Sequence, residues 1–223
     1  MKSDRPVISS SVTTPTANTQ AQDHAALQRI LAETAIFICC VIAVPLIIYI
    51  DALFLPNINT ENSITEQLHN VMLLVACGVF GIGAFKYPTL RGYLLLATTL
   101  FVCMLIRELD ALLDKISHGF WVYPAFSVLT IGTFYAYKNR KTILRPMLRH
   151  YATRSGTIIY IGLVLLLFFT RFFGTGSLWE AVMGSSYDDS FKGIIQEGTE
   201  LLSYTLIAFG SCLALLTAFG EKR

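Results

Sequence analysis

The residues best able to do chemistry stand at the ends of apolar runs. Arg107-Glu108-Leu109-Asp110 closes one run, and Asp114 and His118 follow it at helical spacing. Glu197, Glu200 and Tyr204 open another run, Asp51 closes the first, His69 opens the second, and Arg171 ends the fifth. At about 100° per residue, Arg107, Asp110, Asp114 and His118 share one helix face above Cys103, with Glu108 on the neighbouring face. By the same count Glu197, Glu200, Tyr204 and Ser211 form a single stripe. Carboxylates with imidazoles can hold a divalent cation, carry protons or bind a cationic group. His69, His118, Glu197 and Glu200 are the candidate metal ligands. Arg107 and Arg171 are expected to pair with Glu108, Glu197 and Glu200 around a pocket.

Each of these residues also has a purely structural explanation. Helix ends are where charge is least costly, because long side chains reach the headgroups, and an acid–base pair there can simply lock two helices together. Glu197 at a helix start also suits the helix dipole. Trp121 and Tyr123 fit interface anchors. Two histidines in separate segments do not make an H-E-x-x-H metal motif, and Gly210-Ser211 does not stand in a G-x-S-x-G setting. No catalytic signature names a reaction, so the chain reads as an enzyme only if the cluster serves metal-dependent chemistry on lipid.

Composition says what must position these groups. Of 223 residues, 54% are hydrophobic and 14% charged, against about a quarter charged in soluble domains. The apolar residues fall in blocks near the twenty or so needed to cross a hydrocarbon core. The fold class expected is an all-α integral membrane bundle of six spans, at about 35–55, 70–87, 91–114, 119–137, 156–174 and 196–219, forming one domain over 35–220. Residues 1–22, rich in Ser, Thr, Ala and Gln, read as a disordered tail and not as a cleavable signal. Residues 23–34 read as an interfacial amphipathic helix. Pro45 should bend the first span.

Orientation follows from lysine and arginine in short loops. With six spans, Lys2, Arg5, Arg29, Lys86, Arg91, the basic loop 138–154, Lys222 and Arg223 all fall on one side, which places both termini in the cytoplasm. The opposite side carries Arg107, Lys115, Arg171 and Lys192 among eleven acids. The polar cluster is therefore expected to face outward. The basic loop alternates Ile143, Leu144, Met147, Leu148 and Tyr151 with arginines, as expected of a segment pressed on anionic lipid headgroups. Cys39, Cys40, Cys77, Cys103 and Cys212 all lie in apolar blocks and read as small hydrophobes.

A net charge of +2 gives no footprint for nucleic acid. The function expected is binding or moving a small ion or polar solute through the outward cluster, with a divalent metal as the implied cofactor. Two other functions fit the same residues: a membrane-embedded, metal-dependent hydrolase or transferase acting on lipid, and a non-catalytic subunit or scaffold with a membrane-protein partner. The small, loop-poor, positive-inside architecture points to a bacterial plasma (inner) membrane.

Overall fold

The computed structural model describes residues 17–54 and 63–217, which form helices and turns with no strand among them. It divides into two units, Met1–Cys39 and Cys40–Arg223. In the first, the chain is helical from Ala17, inside the stretch expected as a tail, where Ala17, Gln20, Ala21 and Gln22 are all good helix formers. Arg29 Nε donates to Glu33 Oε1 at 2.9 Å one turn on. Most of the tail, the loop 55–62 with Glu61, and the basic C-terminal pair lie outside the described residues.

The second unit holds the bundle. Of helix α1 (Ala17–Phe54), the part from Cys40 belongs to this unit; it carries Pro45 and ends just past Asp51. Helix α2 (Ile64–Lys86) is capped by Ser63, whose Oγ accepts from the Glu66 amide at 3.1 Å, and it stops two residues before Pro88, as the restriction on residues preceding proline requires. Helix α3 (Arg91–Glu108) ends where Leu109 leaves helical geometry (φ −90°, ψ 15°), and α4 (Asp110–Asp114) follows. The expected continuous span 91–114 is therefore broken at Leu109, and Arg107 and Asp114 do not share one unbroken helix face. Helix α5 (Val122–Lys138) is the fourth expected span. The basic loop folds as α6 (Leu144–Tyr151). The fifth expected span is α7 (Arg154–Val164), a π-helical turn at Leu165–Phe169, and α8 (Thr170–Phe173). A short α9 (Gly176–Met183) leads to the last helix, α10 (Asp189–Leu216).

Five of the helical stretches, Gln20–Phe54, Ile64–Lys86, Pro88–Glu108, Arg154–Phe173 and Asp189–Leu216, are long and apolar enough to cross a membrane. The remaining expected span, α5, has 17 residues, roughly 25 Å of helix. Phe126, Leu129, Ile131 and Phe134 stand exposed along it, as do Phe85, Leu167 and Phe168 elsewhere. So many large exposed apolar side chains suit lipid and not water.

Helix α10 is the centre. It packs on α2 and α7; α2 packs in turn on α3, and α3 on α5. The middle of α10 from Leu201 to Ala208 is buried except for Leu202, against Leu73, Phe80, Leu94 and Phe101 of α2 and α3. The α7–α10 crossing depends on glycine. A Cβ on Gly210 would meet the Ser155 carbonyl oxygen at 3.0 Å and the Ile159 amide nitrogen at 3.2 Å, both backbone atoms, and one on Gly162 would meet the Ser203 carbonyl at 2.9 Å. Small residues at such crossings let helices pack without help from a hydrophobic effect that lipid cannot supply. Gly210→Val should therefore cost about 1–3 kcal/mol, as overpacking a tight core does. Unfolding of the purified protein in micelles measures this, and an unchanged midpoint would contradict the tight crossing.

Helix α6 is pinned through His150. Its side chain is buried, 6% exposed, with one ring nitrogen bonded to the Tyr93 hydroxyl and the other 3.1 Å from Ser155 Oγ. Phe80 lies beside it with ring centroids 6.0 Å apart. Burial holds the imidazole down to about 4, from an ordinary 6.5, because the charged form is disfavoured away from water. Between these values the unfolded chain takes up a proton that the folded chain does not. Stability contributed by neutral His150 is therefore complete above pH 6.5 and declines as pH falls toward 4. A melting series across that window should show the decline, and His150→Gln should flatten it.

Candidate functional site

Three helices build the polar cluster. His69 lies one and a half turns into α2, Arg107 and Glu108 end α3, and Glu197, Glu200 and Tyr204 run along α10 toward and just past its midpoint. The centre is Glu108, its side chain 8% exposed. Its Oε1 receives the Arg107 guanidinium at 2.5 Å and the Tyr204 hydroxyl at 2.8 Å, and its Oε2 lies 3.7 Å from His69 Nδ1. The same His69 nitrogen is 3.9 Å from Glu197 Oε2. Glu200 is buried and accepts from Gln196 Nε2 at 3.2 Å.

His69 is the telling member. It is 1% exposed, and its Nε2 has no hydrogen-bond partner among the described residues, although buried polar atoms in folded proteins almost always have one. The Tyr204 ring covers it with centroids 5.1 Å apart. One atom each from His69, Glu197 and Glu200 lie within 4.8 Å of one another, a set of three groups that could hold a metal ion. Ligands of a tetrahedral zinc about 2.1 Å from the metal are roughly 3.4 Å apart, so small rotations of the two glutamates would close the set. Beside it, a cavity of about 100 Å³ lies between the start of α2 and the α3–α4 junction, lined by Glu66, Gln67, Asn70, Glu108 and Lys115 together with the apolar Leu109, Ala111 and Leu112. The side-chain oxygen of Asn70 is also buried without a partner among the described residues.

The other expected site residues lie elsewhere. Asp51, 1% exposed, is committed to the backbone of α2. Its carboxylate accepts from the Ile64 amide at 3.1 Å, the Thr65 amide at 2.8 Å and the Thr65 hydroxyl at 2.6 Å. It caps α2 from outside the helix and ties the end of α1 to it. His118, expected as a metal ligand, is fully exposed in the turn after α4 and pairs with Asp114 at 3.0 Å. The break at Leu109 removes both from the cluster. Asp110 starts α4 close enough to act on the charge of Arg107. Arg171 stands exposed on α8, and its guanidinium makes no ion pair among the described residues. Of the partners expected for Arg107, it pairs with its neighbour Glu108, and among the described residues no ion pair joins it to the acids of α10.

Gln196 and Asn70 are the members that residue type alone did not flag. Gln196 precedes Glu200 by four positions, so the helical repeat already places them together, and Asn70 adjoins His69. Comparison with protein families, with curated proteins and with solved structures finds no match to this chain.

Because Glu108 is served by both Arg107 and Tyr204, the two should not act independently. Arg107→Gln and Tyr204→Phe are each expected to lower stability, with the double variant departing from their sum by about 0.5–3 kcal/mol, the range for residues in one network. Additivity in a double-mutant cycle would show that they do not share Glu108.

Proposed function

We propose that the cluster binds one divalent transition-metal cation, held by His69, Glu197 and Glu200. The observation that carries this reading is the buried His69 imidazole, with Nε2 unpartnered among the described residues and Nδ1 3.9 Å from Glu197 Oε2, in a set with Glu197 and Glu200 whose ligand atoms lie within 4.8 Å of one another. Arg107 and Tyr204 engage Glu108, which leaves Glu197 and Glu200 as the carboxylates available to a cation. Imidazole with carboxylates suits zinc and its first-row neighbours better than calcium or magnesium, which prefer oxygen alone.

The charge pattern supports six spans, with α5 counted among them, both termini on the cytoplasmic side and the cluster facing outward. A bacterial plasma membrane suits so small and loop-poor a chain. The basic loop then meets anionic headgroups on the inner leaflet.

Binding, more than conduction, is what the packing supports. Beyond Tyr204 the middle of α10 is buried, and the hydroxyls of Ser203 and Ser211 bond back to the carbonyls of Thr199 and Ile207 in their own helix. A lipid hydrolase would need an apolar approach to the ion, whereas five of the eight residues lining the adjoining cavity, Glu66, Gln67, Asn70, Glu108 and Lys115, are polar, against Leu109, Ala111 and Leu112. A scaffold needs neither that cavity nor an unpartnered imidazole.

Elemental analysis after loading with zinc and gel filtration tests the reading. Wild type should retain about one ion per chain, and His69→Ala and Glu200→Gln should each weaken binding by at least about tenfold, or 1.4 kcal/mol. Wild type without metal, or variants that keep it, would overturn the proposal.

A further inference from the structure

A second cavity, of about 210 Å³, lies between α3 and α7 at the end of the bundle that carries the basic segment. These two helices are joined through α2 and α10, which leaves a gap between them. Phe80 of α2 forms its back wall, and Met147 and Tyr151 of α6 close the end. Leu100 and Tyr160 stand on its two sides, and both are exposed on the face that the bundle presents to lipid. The cavity is therefore a cleft open sideways to the membrane.

Its chemistry is that of hydrocarbon. The Tyr93 hydroxyl and the His150 ring on its lining are already used, because the Tyr93 hydroxyl and Ser155 Oγ occupy the two ring nitrogens and Ser155 Oγ is also 2.8 Å from Thr153 Oγ1, while the Tyr151 and Tyr160 hydroxyls are the other polar atoms of lining residues. Whichever ring nitrogen carries the proton, neither is left to grip a polar head. The remaining walls are aliphatic and aromatic. Charge at the same end is one-sided. Residues 138–154 include Lys138, Arg140, Lys141, Arg145, Arg149 and Arg154 and no acid. Within α6, Leu144, Leu148 and Tyr151 are exposed apolar groups, while Arg145 and Arg149 are exposed on the adjoining side of the helix. Such a helix lies in the headgroup layer with its basic side at phosphate level.

An apolar slot entered from the bilayer, beside a cationic helix at headgroup depth, fits a single kind of occupant. We propose that the cleft between α3 and α7 is a site for one anionic phospholipid, an acyl chain lying against Phe80 and Leu100 and the phosphate held by the basic segment. Nonspecific attraction of headgroups to basic residues needs no cleft; this site requires both a chain and a charge.

Native mass spectrometry of the full chain released from bilayers of equal phosphatidylglycerol and phosphatidylcholine tests it. Wild type should retain about one phosphatidylglycerol per chain. Leu100→Trp, which plugs the mouth from the lipid side, should cut retention at least about tenfold, while Phe126→Trp on the outer side of α5 should not change it. The pair Arg145→Gln and Arg149→Gln leaves the walls intact and should bring the two lipids toward equal retention, so the headgroup half is decided even if Leu100→Trp fails to fold. No retained lipid, equal retention of both lipids by wild type, unchanged retention in a folded Leu100→Trp protein, or a dimer in place of a lipid adduct would each overturn the proposal.

Discussion

Glu108 ends a membrane helix with almost none of its side chain exposed, and a carboxylate in that position is tolerated only if other groups meet it. Arg107 meets one oxygen from the same turn, Tyr204 reaches the same oxygen from α10, and His69 of α2 faces the other. These contacts hold the ends of three helices together at one level. They also explain why α10 lies at the centre: the helix that supplies Tyr204, Glu197 and Glu200 must pass between α2 and α7, and its small residues let it do so. With Glu108 served, Glu197, Glu200 and the His69 imidazole remain as a set that carries more acceptors than donors, which is a condition that favours a cation.

The two ends of the bundle are built for different solvents. At the cluster, Asp51 reaches across from α1 to cap α2, which sets the helix carrying His69 in a fixed register. The capping carboxylate is as buried as the imidazole, so this end is rigid as well as polar. At the other end His150 is kept neutral by burial, with both ring nitrogens engaged, and the cleft beside it is lined mostly by aliphatic and aromatic side chains. Basic residues ring that end without entering it. A polar cluster thus stands at one rim and an apolar cleft at the other, with the packed middle of α10 between them.

Much of this was legible in the sequence, and the failures have identifiable causes. Apolar blocks located the helices because a bilayer demands long uninterrupted runs, and His69, Glu108, Glu197, Glu200 and Tyr204 stood out because ionisable groups there are expensive. A helical wheel could not show that α3 ends at Leu109, since Asp110 to Asp114 continue the periodicity. That single break sends Asp114 and His118 outside and leaves Arg107 beside Glu108. Asp51 read as a site residue because its partners are backbone amides, and residue types do not reveal backbone partners. Nothing in the basic loop marks His150 out, because its burial comes from α2 and α3, far away in sequence.

The central claim is that His69 and two glutamates of α10 share one ion, and X-ray absorption at the zinc edge of the loaded protein tests it most directly. The expected spectrum shows one imidazole nitrogen shell with oxygen neighbours and no sulfur, and the imidazole signal disappears in His69→Ala. A purely oxygen shell, a sulfur shell from the cysteines, or an imidazole signal that survives the loss of His69 would contradict the assignment.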